Sequence, residues 1–174
     1  HAGYQYSGPV AGFAYRRLRD WSAAIRHVVM IGPSHRVAIR GLAVPSVDTF
    51  ATPLGNVPID AAGRARLLEL GLVGISDAAH AAEHSLEVQL PFLQRVLGDF
   101  GLVPLLVGAA TGESVAQVLD LLWGGPEMVM LAAFYVLLQR YAGREDLAVG
   151  TPLGGRPRTA LEGLPYELIL VDDG

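Results

Sequence analysis

His27-Val28-Val29-Met30-Ile31-Gly32-Pro33-Ser34-His35 holds a short, β-branched, apolar run that stops at a Gly-Pro pair. A run this short with that punctuation predicts a strand buried on both faces. Strands of this texture belong to parallel sheets covered by helices on each side, where no face alternates with solvent. In open α/β sheets the ligand crevice lies outside the carboxyl ends of the strands. His35 stands directly after such an end, and Gly32 and Pro33 set a tight exit that would aim its imidazole over the sheet edge. On position alone His35 is either a site residue or an ordinary loop residue.

On both sides of this run the chain alternates. Ser7-Gly8-Pro9 opens a predicted helix through residue 19, with Pro9 in its first turn. Residues 41–44 predict a second strand. Residues 60–70 predict a helix capped by Asp60 and closed by Gly71. Residues 83–97 give the clearest helix, because Leu86, Leu90, Leu93 and Leu97 fall on one apolar stripe. Pro91 lies inside it and predicts a kink. Residues 102–107 predict a strand and residues 113–122 a helix. Alternation of this kind predicts an α/β domain with a mainly parallel central sheet flanked by helices.

Past Trp123-Gly124-Gly125-Pro126 the texture changes. Residues 127–141 predict a helix stopped by Gly143, 147–149 a short strand, and 167–171 another. Residues 151–163, rich in Gly, Pro and Arg, read as loop or linker. The expected organisation is therefore a domain over 1–127 and an appended helix, loop and strand over 128–174.

Composition narrows the function. Hydrophobic residues make up 51% and charged residues 17%, which excludes a disordered chain. The net charge of -4 argues against binding a nucleic-acid backbone. All 13 basic residues are Arg, which removes Schiff-base chemistry and the lysine of phosphate loops. With no Cys, a metal must be held by His, carboxylates or backbone oxygens. The longest uncharged apolar run, 128–138, is too short to span a bilayer. No signal peptide is visible, so the expectation is a cytoplasmic protein with no membrane partner.

Four histidines remain besides His35. His84 lies in Glu83-His84-Ser85-Leu86-Glu87, where His84 and Glu87 share a helix face. Such a pair can ligate a metal, or act as an acid/base His with a carboxylate orienting it. Equally, Glu83 and Glu87 can simply favour the helix N-terminus through its dipole. His80 sits among alanines and carries no signal, and His27 reads as a partly buried packing residue. His1 would chelate through its amine and ring together, an arrangement suited to copper, if the mature chain begins there. Asp172 and Asp173 are the kind of pair that holds a divalent cation or a ribose, and Arg156 and Arg158 read as a solvated loop.

Five segments in order resemble the signature of the Memo family, whose bacterial branch is also called AmmeMemoRadiSam system protein B. They are His1-Ala-Gly-Tyr-Gln-Tyr-Ser-Gly-Pro, Ile31-Gly-Pro-Ser-His-Arg-Val, Thr52-Pro-Leu-Gly, Glu83-His-Ser-Leu-Glu-Val-Gln-Leu-Pro-Phe-Leu, and Val103-Pro-Leu-Leu-Val-Gly. The resemblance runs from residue 1 to about residue 127. It implies a fold like that of class III extradiol dioxygenases, with a metal site at one end of the central sheet. By that likeness His1 and His35 are metal ligands, and His84, with Glu83 beside it, lines the same cleft in a catalytic position. The implied cofactor is a divalent metal, iron first, with copper or zinc behind it. An unidentified small molecule is the implied partner.

After Glu127 the chain departs from the family. The strand ending in Ser-Ser-Asp-x-Ser-His and the family's remaining ligand do not follow. Residues 128–163 instead resemble an internal piece of a nonribosomal peptide synthetase condensation domain without its His-His-x-x-x-Asp-Gly. Residues 164–174 are similar to the opening strand of a family-two glycosyltransferase. The expectation is a truncated, composite (chimeric) chain with a Memo-like metal-binding cleft and redox capacity. The alternative is a non-catalytic fragment that self-associates or binds a partner through an exposed sheet edge. A nucleotide-sugar or peptide-synthesis role is a third reading, and the missing catalytic motifs count against it.

Overall fold

The computed structural model describes residues 3–122, together with the backbone of two strands at 128–132 and 169–170. In chain order its elements are helix α1 (Tyr4–Arg16), a 3-10 turn (Arg17–Trp21), β1 (His27–Pro33), β2 (Leu42–Val44), β3 (Thr49–Thr52), β4 (Gly55–Pro58), α2 (Ala61–Glu69), β5 (Val73–Ile75), α3 (Asp77–Ala81), α4 (His84–Glu87), α5 (Leu90–Leu97), β6 (Gly101–Val107), α6 (Gly112–Leu122), β7 (Met128–Ala132) and β8 (Ile169–Leu170). Six strands form one sheet in the order β5-β2-β6-β1-β7-β8, and β3 and β4 form a separate hairpin.

β1 is the centre of the sheet. It runs parallel to β6, from His27 opposite Gly101 to Pro33 opposite Val107, and parallel to β7, from His27 opposite Met128 to Ile31 opposite Ala132. β2 with β5 and β7 with β8 are also parallel, and among the described residues of this sheet only β2 against β6 is antiparallel. The α/β architecture with a mainly parallel sheet is therefore present.

Side chains alternate across β1. Val28 and Met30 join one core with Tyr15, Leu18, Leu86, Leu90, Leu93 and Leu102, beneath α1, α4 and α5. Val29 and Ile31 join a second with Leu67, Val103, Leu105, Val118 and Leu122, beneath α2 and α6. Period-two alternation with both faces covered is why the strand reads as one unbroken apolar run.

The cap at Asp60 is in place. Its carboxylate accepts from the Gly63 N–H at 2.9 Å, and Gly71 ends the segment at φ +67. Three expectations need correction. First, α1 starts at Tyr4, so Pro9 lies inside the helix rather than in its first turn. Packing overrides the lost backbone bond: Phe92 sits edge-on to Tyr4 at 5.8 Å and stacks on Tyr15 at 5.2 Å.

Second, residues 83–97 are two helices rather than one kinked helix. Pro91 lacks an N–H, and its ring would meet the Glu87 carbonyl. α4 accordingly stops at Glu87 and α5 restarts with Pro91 in its opening turn. Third, residues 128–132 are a strand and not the start of a helix over 127–141. A short apolar run has no decisive period, and pairing along β1 settles it. β8 falls within the strand expected at 167–171. The rest of the 127–141 segment, the strand at 147–149 and the linker at 151–163 lie outside the described residues.

The β3–β4 hairpin, β5 and α3 carry no strong sequence pattern and were not anticipated. The hairpin turns through Pro53 and Leu54 into Gly55 at φ +117, which only glycine adopts without strain. Among the described residues no helix is long and apolar enough to cross a membrane.

Candidate functional site

The loop after β1 and the start of α4 meet at the carboxyl end of the sheet. What lets them meet is Gly32, since a Cβ there would lie 2.7 Å from the Ser85 hydroxyl and 2.9 Å from Leu86 Cδ2. The Ser85 hydroxyl also donates to the Pro33 carbonyl at 3.3 Å, tying α4 to the last residue of β1.

Glu83 is the N-cap of α4, and its Oε1 accepts from the Ser85 N–H at 3.0 Å. The same carboxylate holds His35 twice. Oε2 accepts the His35 backbone N–H at 2.7 Å, and Oε1 lies 2.8 Å from ring Nδ1. His84 Nδ1 is 3.7 Å from Oε1, and the His35 and His84 rings stack 5.3 Å apart at 25°. His35, Glu83 and His84 each bring one ligand-type atom to within 4.8 Å of the other two. Among the described residues this group contains Glu83 and not Glu87, so the carboxylate beside His84 is the one preceding it.

Glu83 is 4% exposed. Burial pushes its pKa upward, but the donors from His35 and Ser85 outweigh that and hold it down at about 2. An ionised carboxylate can only accept, so Nδ1 of His35 carries the proton of that bond and the ring's tautomer is set.

Of the other histidines, His27 pairs with Asp60 at 2.8 Å and is 44% exposed at its side chain. His80 donates from Nδ1 to the Ser76 carbonyl at 2.9 Å, while its Nε2 is buried. Burial, more than any other influence, pushes its pKa down. His80 lines a cavity of about 320 Å³ with Phe50, Leu86, Leu90, Glu83 and Glu87. Glu83 thus stands between this cavity and His35. His1, Arg156, Arg158, Asp172 and Asp173 lie outside the described residues.

Three residues behind the site escaped the sequence reading. Ser85 and Gln89 are buried, and the Gln89 amide donates to the Ser85 carbonyl at 2.7 Å. Behind Gln89, the buried Tyr15 hydroxyl donates to Gln89 Oε1. The signal was available as two uncharged polar residues four apart beside the leucine stripe.

A family model described as Memo-like protein matches residues 1–127. A MEMO1 family protein of Ignicoccus hospitalis is 46% identical over 121 residues, covering 68% of this chain and 42% of the relative. One of Methanopyrus kandleri is 40% identical over 129 residues, covering 69% and 45%. The protein memo-1 homolog of Caenorhabditis elegans is 36% identical over 116 residues, covering 65% and 33%. The chain spans less than half the length of these relatives. With the family model matched across well over half of it, the chain belongs to the Memo-like protein family.

Proposed function

We propose that His35, Glu83 and His84 form part of a divalent-metal-binding cleft. The observation that carries this reading is the double hold of Glu83 on His35, at 2.8 Å to ring Nδ1 and 2.7 Å to the backbone N–H. A carboxylate holding the Nδ1–H of a histidine orients the ring and makes Nε2 the ligating nitrogen, the arrangement found behind many metal-bound histidines. The donor set fits the group: nitrogen and oxygen atoms within 4.8 Å, with no thiolate in the chain, suit iron, zinc or copper.

In this reading His35 faces the metal, His1 supplies a further ligand, His84 lines the cleft beside them, and Glu83 is the carboxylate that holds His35 in place. With a pKa of about 2, Glu83 is a poor proton acceptor at neutral pH, so acid/base work falls to His84. Iron, the first choice of metal, would supply Lewis acidity and one-electron chemistry. The neighbouring cavity of about 320 Å³ is of a size for a small molecule.

Metal content and affinity of the purified chain, with and without His35→Ala, test this. Stoichiometric metal lost in the variant supports the site, and equal affinity in both forms removes His35 from it.

A second reading, self-association, is favoured by an exposed stripe on α1. Tyr6 is 75% exposed, and Val10 and Phe13 are each 72% exposed, at helical spacing. The sheet edge beside β1, expected to be bare, carries β7. Size-exclusion chromatography decides this reading, because a monomer that persists at high concentration rules it out.

A further inference from the structure

The metal-binding reading leaves unexplained why a buried polar chain runs from the site back to α1. At the break between α4 and α5 the Gln89 N–H bonds to the Leu86 carbonyl, three residues back. A continuous helix would have given that N–H to the Ser85 carbonyl, four residues back. The Gln89 side chain takes its place: Nε2 donates to the Ser85 carbonyl at 2.7 Å. The amide can do so only in one orientation, which the Tyr15 hydroxyl fixes by donating to Oε1. Ser85 in turn gives its N–H to Glu83 Oε1 at 3.0 Å, and Glu83 receives both His35 donors. Tyr15, Gln89, Ser85 and Glu83 are all at most 5% exposed, so water does not substitute for any of these bonds.

We infer that Gln89, oriented by Tyr15, is a positioning residue for the His35–Glu83–His84 group, holding the first turn of α4 where Glu83 meets both His35 donors. The inference rests on the proposed metal-binding reading for its function. Its geometry does not depend on that reading. Tyr15 also stacks on Phe92 at 5.2 Å, which seats α1 against α5. The chain therefore connects the helix that follows His1 to the loop that carries His35. Neither Gln89 nor Tyr15 touches the three donor residues directly in the bonds described, so their influence passes through Ser85.

The test compares Tyr15→Phe and Gln89→Leu in the full 174-residue chain with Val118→Ala, a core truncation on the opposite face of the sheet. Tyr15→Phe keeps the ring stacked on Phe92 and so guards against simple unfolding. Hydrogen exchange at the His35 and Ser85 amides, both donors to Glu83, is read without metal. Zinc affinity is read separately.

The expected result is faster exchange at these two amides than in Val118→Ala at a matched loss of melting temperature. Zinc binding should weaken by about tenfold, as for other groups behind a ligand. Exchange that tracks the control in both variants overturns the inference. Wild-type protein that binds no zinc sinks the metal reading alone, because the exchange result still decides whether Gln89 positions Glu83.

Discussion

Glu83 grips His35 at two points, the ring Nδ1 at 2.8 Å and the backbone N–H at 2.7 Å, so one buried carboxylate fixes both the position of the loop and the orientation of the imidazole. Replacing it with Gln puts an NH2 group where one acceptor stood. Glu83→Gln is expected to weaken metal binding about tenfold to a hundredfold. It should also destabilise the fold by about 1–3 kcal/mol, because a buried donor loses its acceptor. Titration calorimetry with zinc and chemical denaturation of the metal-free chain check the two effects separately.

The same carboxylate predicts a pH dependence. Its pKa in the fold lies below its ordinary value of 4.5, at about 2. A depressed carboxylate contributes stability that is present above the ordinary value and lost as pH falls towards the folded one. Wild-type stability should therefore exceed that of Glu83→Gln most above about pH 4.5. The difference should shrink on acidification from about pH 4.5 towards pH 2. Denaturant melts at a series of pH values measure it, and a constant difference across the range would exclude the depressed carboxylate.

Two glycines should respond differently to a methyl group. At Gly32 the added Cβ meets side chains, the Ser85 hydroxyl at 2.7 Å and Leu86 at 2.9 Å. At Gly108 it meets backbone, the Ile39 carbonyl oxygen at 2.2 Å. Gly32→Ala should cost about 1–3 kcal/mol and slacken α4 against β1, with zinc affinity falling alongside. Gly108→Ala should cost more, because the loop crossing it must move as a whole. Thermal melts rank the two.

Asp60 has two partners, the Gly63 N–H at 2.9 Å and His27 Nδ1 at 2.8 Å. Asp60→Ala should lose about 1–2 kcal/mol through the cap, and Asp60→Asn, which keeps a capping oxygen, much less. Equal losses in both variants would assign the effect to the His27 contact.

What could be read in the residues followed from signals that are local. β1 announces itself because both faces are buried, and Asp60 because capping is a short-range hydrogen bond. Pro91 marked a disturbance correctly, but whether a proline kinks a helix or ends it depends on what the freed carbonyl finds. Here the helix ends before Pro91: the Gln89 N–H turns to the Leu86 carbonyl, and its side chain takes the Ser85 carbonyl in an orientation set by Tyr15, far away in sequence. Residues 128–132 were misread because nothing within them tells helix from strand, and the deciding partner is β1, far away in sequence. His35 and His84 stand out by position and resemblance, and Gln89 by its spacing from Ser85 beside the leucine stripe, whereas Tyr15 carries no local signal, since its importance lies in what it holds. Glu83 was singled out for chemistry, and its geometry now makes it a holder of His35.

The placement of β1 has a consequence for the order of assembly. Made early, it finds its neighbours late: His27 must wait for Gly101 on one side and Met128 on the other. Contacts this distant along the chain form slowly and close large loops. On the ribosome, His35 therefore emerges long before β6 exists to build the floor beneath it. Until then a strongly apolar strand has nothing to pair with, which makes this the interval in which a nascent chain most needs a chaperone.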